Sequence, residues 1–238
     1  MDNNIENLHT GSESESAYAE LESSNLLDLD QTIAKELIES MDYPWQVLPY
    51  ISDHIILLRE VLEGAGYTEI EQDIWIGENV EINKVSQMKG PLIIGHNSKI
   101  GFCANIRGGI IGENCEIGDS EIKNSILFNG VKIPHKSYVG DSILGYKVHL
   151  GCGTSCMNLK SVKSPVSVKY GDVKIDTGLR KFGSVLGDGV DIGGNSTLNP
   201  GTIIGRNTTV YSGALLSGYI PENSIYKSRS FFEIVEKR

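Results

Sequence analysis

The sequence predicts a mainly β fold, a left-handed parallel β-helix entered through a short N-terminal helical segment. Three observations predict it. Aliphatic residues recur at every sixth position over most of the chain, as in Ile94, Ile100 and Ile106, or Ile204, Val210 and Leu216. The segments IGHNSK, IGENCE, LGDGVD and IGRNTT, beginning at Ile94, Ile111, Leu186 and Ile204, rewrite one six-residue phrase. Glycine contributes 27 of 238 residues and aromatics only 7%, which suits tight turns around small aliphatic side chains and which a helical bundle would rarely tolerate. Three six-residue strands joined by tight turns close a triangular coil of about 18 residues, so every sixth side chain enters the axis and stacks on its counterpart one coil on. Gly or Asn at the corners accepts the positive φ that the turn demands.

Taken in order, residues 1–25 are acidic and Ser-rich, a composition that does not order itself, and read as a flexible tail. Over 26–70, Ile33, Leu37, Ile38 and Met41 and then Ile51, Ile55, Leu58, Val61 and Leu62 recur at helical spacing. Pro44 and Pro49 separate two helices, and Gly64 and Gly66 end the second. The β-helix occupies 71–218. One stretch, 157–183, carries no six-residue phrase and is rich in Lys and Arg; a loop extruded from a solenoid coil generally serves a site. Residues 219–238 read as a cap or tail, with Phe231, Phe232, Ile234 and Val235 able to cover the end of the stack.

Charge and composition exclude several classes. Asp2, Glu6, Glu13, Glu15, Glu20, Glu22, Asp28 and Asp30 precede the first basic residue, Lys35, so most of the net charge of −10 lies in the first segment. No concentrated basic surface suggests a nucleic-acid partner. No apolar run approaches the ~20 residues of a membrane span, and the N-terminus has no signal pattern, so a cytoplasmic chain is expected. Cys103, Cys115, Cys152 and Cys156 read as small packed thiols in a reducing compartment.

Longer phrases are narrower than the repeat: NIRGG at 105–109, EIKNSI at 121–126, IPHKSYVGDSILG at 133–145, CMNL at 156–159, DTGLRKFGSVLGDG at 176–189 and STLNPGTIIG at 196–205. With them, residues from about Trp75 to Gly218 resemble the acetyltransferase half of the bifunctional sugar-1-phosphate nucleotidylyltransferase/N-acetyltransferases, especially the archaeal type. The nucleotidyltransferase half has no counterpart in the first 70 residues. The resemblance implies an acetyl-CoA-dependent acyltransferase acting on an amino-sugar phosphate, glucosamine 1-phosphate above all.

It also implies the site. N-acetylation needs an uncharged amine, hence a base that accepts a proton near neutral pH, a task suited to histidine; the resemblance puts that base on His135. It puts a carboxylate, Glu121, beside the base. A phosphate carries about two negative charges near pH 7 and calls for converging cations; Arg107, Lys123 and Lys181 match them. Tyr138 and Asn158 match hydrogen-bonding contacts to phosphate or sugar, and His149 stands where a sugar-contacting Asn is usual. Cys152, Gly194 and Ser212 match backbone contacts to acetyl-CoA, which would lie in a cleft between subunits of a homotrimer.

Two other readings stay open from the residues. A metal enzyme on the same scaffold would need three converging histidines, and the repeat region offers only His96, His135 and His149 with no close pair, so no metal is expected. A non-catalytic trimeric scaffold, docking a separate nucleotidyltransferase through its N-terminal helices, is the alternative that fold alone does not exclude.

Overall fold

The computed structural model describes residues 18–228. The chain from Ile74 winds as a left-handed parallel β-helix whose short strands pair with their counterparts one coil on. Three inward stacks make the core. On the first face Ile76, Ile94, Ile111, Leu127, Leu144, Leu186, Ile204 and Ile220 are in register. The second face stacks Ile82, Ile100, Ile117 and Ile133, then Leu150, Ile192, Val210 and Tyr226. The third stacks Met88, Ile106, Ile122, Val139, Cys156, Leu198 and Leu216. One corner repeats Asn in the left-handed region, and Asn79 donates to Asn97, and Asn207 to Asn223, along it; short amide side chains tolerate that backbone.

The first face is apolar on its outside as well. Trp75, Ile93, Ile110, Ile126, Ile143 and Val185 form an outward column in register with Ile203 and Tyr219. The N-terminal segment lies on it: Leu21, Leu26, Ile38, Trp45, Val47, Ile51, Ile55 and Leu62 join that column in one buried cluster. At ~25 cal/mol per Å² of apolar surface removed from water, this second core is a main source of stability beside the axial one. The first face is thus covered by the chain's own N-terminal segment.

The tail expected over 1–25 is only partly within the described residues. Residues 18–25 are folded, with a 3₁₀ turn at Ala19–Leu21 and a helical turn at Ser23–Leu26, because Leu21 and Leu26 reach the outer column and bury fully. The helical segment is more broken than its periodicity suggests. It comprises Lys35–Glu39, a 3₁₀ run Pro44–Tyr50, then Ile51–Leu57 and Arg59–Gly64. The 157–183 insertion holds an antiparallel hairpin, Ser167–Tyr170 with Val173–Asp176, whose Val166 and Val168 pack into the same buried cluster. Repeat strands continue past 218 at Tyr219–Ile220 and Ile225–Tyr226, and the capping residues Phe231 to Val235 lie outside the described residues. Among the described residues no helix is long and apolar enough to cross a membrane.

Candidate active site

The third face alternates inward aliphatics with outward polar residues, and the outward positions of adjacent coils come into register. Asn105, Glu121, Tyr138 and Ser155 form one row; Arg107, Lys123 and Gly140 form the next. Register therefore brings Arg107, Glu121, Lys123 and Tyr138 together on one exposed surface. The insertion returns to the coil at Lys181-Phe182-Gly183, where the N–H of Gly183 donates to Asp141 O at 2.8 Å and that of Phe182 to Asn158 O at 3.0 Å. Lys181 is thereby brought close enough to Lys123 for the two like charges to act on each other. Burial first, then Lys181 and more weakly Arg107, hold the Lys123 ammonium below the ordinary lysine range, against the attraction of Asp141.

Arg107 donates to the carboxylate of Glu121. Tyr138 folds across Gly140, where its hydroxyl and the Asn158 amide flank the same spot. Its hydroxyl is held above the usual phenol range by burial, then by the charges of Asp141 and Glu121, with Arg107 opposing. Five of the residues named from sequence as substrate contacts thus meet here: Arg107, Lys123, Tyr138, Asn158 and Lys181. Three more residues belong to the site. Asp141, buried at 6% exposure, accepts from Asn124 Nδ2 at 2.9 Å and from Asn158 Nδ2, and Gly140 leaves room for the tyrosine ring. Both Asn124 and Asp141 have positive φ, at 44° and 45°, a backbone state that Asn and Asp tolerate.

The remaining candidates line a corner. His135, Cys152, Gly194 and Ser212 each stand two residues after an inward residue of the second face, namely Ile133, Leu150, Ile192 and Val210. They form a ladder: Gly153 N–H donates to His135 O at 3.2 Å, Asn195 N–H to Cys152 O at 2.7 Å and Gly213 N–H to Gly194 O at 2.9 Å. The N–H groups of Cys152, Gly194 and Ser212 donate to no other described residue. Close backbone approach explains Gly194, since a β-carbon there would stand 2.9 Å from Cys152 O. His135 is exposed at the head of this corner, three residues before Tyr138. Among the described residues no side chain hydrogen-bonds its imidazole, and Glu121 is engaged with Arg107 instead. His149 is apart, on the second face, with Nδ1 at 2.8 Å from Asp191 Oδ1. Among the described residues no group of three or more His, Cys, Asp or Glu is arranged to hold a metal.

A family model described as the GMPPB C-terminal domain matches residues 88–204. The bifunctional sugar-1-phosphate nucleotidylyltransferase/acetyltransferase of Sulfurisphaera tokodaii is 32% identical over 189 residues, 77% of this chain and 47% of that protein. The bifunctional protein GlmU of Methanococcus aeolicus is 35% identical over 199 residues, 82% of this chain and 48% of that protein. The chain spans about half the length of these relatives. Among solved structures, the acetyltransferase domain of PglB from Neisseria gonorrhoeae is 17% identical at a TM-score of 0.36, covering 71% of this chain and 63% of that one. By sequence the chain is similar, over about half of their length, to the bifunctional sugar-1-phosphate nucleotidylyltransferase/acetyltransferases.

Proposed function

We propose that the chain is an acyltransferase that moves an acetyl group from acetyl-CoA to the amine of an amino-sugar phosphate, glucosamine 1-phosphate being the first candidate. The observation that carries this reading is the convergence of Arg107, Lys123 and Lys181 on one outer face, with Tyr138 and Asn158, beside the corner headed by His135. The cations take the phosphate, and Tyr138 and Asn158 hydrogen-bond phosphate or sugar. Acetyl-CoA runs along the corner past Cys152, Gly194 and Ser212, whose N–H groups are free to donate to it.

In the reaction, the imidazole of His135 accepts a proton from the attacking amine as nitrogen bonds to the thioester carbonyl carbon. The oxyanion meets a backbone N–H near Cys152. Collapse breaks the C–S bond, the CoA thiolate leaves and takes up the proton, and no covalent enzyme intermediate forms. A homotrimer would close the corner into a cleft, with His149 reaching the sugar from the second face. The chain would then feed nucleotide-sugar synthesis in the cytoplasm. The test follows free thiol released from acetyl-CoA with glucosamine 1-phosphate. Turnover lost in His135→Ala with the fold intact supports the reading; undiminished turnover removes His135 as the base. No turnover on any amino-sugar phosphate favours the scaffold alternative.

A further inference from the structure

The candidate site has a charged group that none of the chemistry above uses. Asp141 follows the Tyr138–Gly140 strand and is only 6% exposed, although an ionised carboxylate is costly to take from water unless its lone pairs are satisfied. Here they are. One oxygen accepts from Asn124 Nδ2 at 2.9 Å and the other from Asn158 Nδ2. Its backbone joins the same region: Asp141 N–H donates to Lys123 O at 2.9 Å, and Asp141 O accepts from Gly183 two residues after Lys181.

The partners of Asp141 lead in two directions. Through Asn158 the line reaches Tyr138, whose hydroxyl flanks Gly140 together with the Asn158 amide. Through Asn124 it reaches the N-terminal segment, because Asn124 Nδ2 also donates to Leu48 O at 3.2 Å. A second path joins the same two places. Trp45, 1% exposed, stacks on Tyr43 with centroids 4.6 Å apart and on Phe182 at 5.8 Å, and Phe182 adjoins Lys181.

We propose that Asp141 is the positioning residue of the acceptor site, setting Asn158 and Tyr138 while the N-terminal segment fixes it through Asn124. The carboxylate accepts only, so both amides must turn their NH₂ groups toward it. That fixes which face Asn158 offers to a sugar phosphate and leaves its amide able to hold the tyrosine hydroxyl. The negative charge beside Lys123 also offsets the mutual repulsion of Lys123, Lys181 and Arg107. The N-terminal segment is then a working part of the acceptor site as well as a cover for the first face. This inference rests on the acceptor reading given above.

The test splits the Michaelis constants of the full chain. Asp141→Asn keeps size and the left-handed backbone but sets an NH₂ group against one of two NH₂ donors. Its KM for glucosamine 1-phosphate is expected to rise about tenfold or more, with KM for acetyl-CoA unchanged. Asn124→Gly, which suits the left-handed backbone, removes the link to Leu48 and is expected to raise the same constant severalfold with the same split. It decides the matter if Asp141→Asn does not fold. Equal KM values in variant and unmutated chain, or a parallel rise in both constants, overturn the positioning role and leave the acceptor reading standing. If calorimetry finds that the unmutated chain binds neither glucosamine 1-phosphate nor inorganic phosphate, both readings fall together.

Discussion

The Tyr138 hydroxyl lies over the Cα of Gly140, so that a β-carbon at 140 would stand 2.5 Å from Tyr138 Oη and 2.7 Å from Asn158 Nδ2. No real β-carbon sits that close, and the ring or the amide must move. Gly140→Ala is therefore expected to displace Tyr138 from the acceptor site. The β-helix itself has small reason to change, because the intrusion is on its outer surface, where the ring and the amide can swing aside. Steady-state kinetics checks it: kcat/KM for the amino-sugar phosphate falls by about tenfold or more, while thermal unfolding moves little.

Glu121 answers differently. Its carboxylate is engaged by Arg107, so an arriving phosphate competes with it for the guanidinium. Glu121→Gln removes a negative charge from the anion site, and inorganic phosphate is expected to bind severalfold tighter by calorimetry. Release of Glu121 from Arg107 on phosphate binding would also return the carboxylate to the neighbourhood of the amine, so kcat is expected to fall in the same variant. Weaker phosphate binding would mean that the pair serves to aim Arg107.

Much of this was legible in the sequence, for a physical reason. Axial positions such as Ile94, Ile111 and Leu127 must be aliphatic because they stack on one another, and the six-residue period exposes them directly. The outer row Arg107, Lys123 and Gly140 does not follow from a coil of about 18 residues, because these coils are one or two residues short; the longer phrases of the family resemblance had to supply its first two members. Two features were harder. Pairs of adjacent aliphatics, Ile93-Ile94, Ile110-Ile111, Ile126-Leu127 and Ile143-Leu144, put an apolar residue outward as well as inward, and so call for a cover on that face; the eye follows only the inward member. Asp141 escaped because its partners Asn124 and Asn158 each lie 17 residues away, and the second falls one coil on at the start of an insertion that interrupts the repeat.

The state of Lys123 gives a pH dependence. Burial and Lys181 lower its pKa in the free protein, whereas a bound phosphate favours the ammonium and raises it. Binding then takes up a proton on the alkaline side, so phosphate affinity declines as pH rises through the depressed Lys123 pKa, earlier than an ordinary lysine would require. For folding the sign is opposite to that of a salt-bridged lysine: the cost of holding this ammonium is present below its folded pKa and is relieved as pH rises through the unfolded value. Lys181→Gln removes a lowering influence, so the alkaline limb of phosphate binding is expected to move to higher pH. An unmoved limb would assign it to another group.

Thiol chemistry tests the corner ladder. Cys115 and Cys156 are buried, and burial pushes both thiols up to about 12, so neither offers thiolate near neutral pH. Cys103 and Cys152 are exposed. A thiol-reactive dye is expected to label Cys103 and Cys152 in the folded chain and Cys115 and Cys156 only on unfolding. Acetyl-CoA lying against the corner should shield Cys152 and leave Cys103 open, as read by mass mapping of the labelled peptides. Equal labelling of Cys152 with and without acetyl-CoA would take the cofactor away from this corner.

Trp45 joins the two roles of the N-terminal segment, and its loss should reveal both. Its ring is 1% exposed within the outer apolar cluster and stacks on Phe182. Trp45→Ala leaves a large void on the first face, and truncations of this size cost about 3–5 kcal/mol. Trp45→Phe keeps an aromatic face against Phe182 and should recover much of that loss. The melting temperature is expected to fall in the order unmutated, Phe, Ala, and KM for the amino-sugar phosphate to rise in the same order, because Phe182 anchors the returning segment that carries Lys181. On the proposed reading acetyl-CoA lies along the corner ladder and away from Trp45, so its KM is expected to stay level through the series. A uniform loss of both constants would mean that Trp45 supports the fold only.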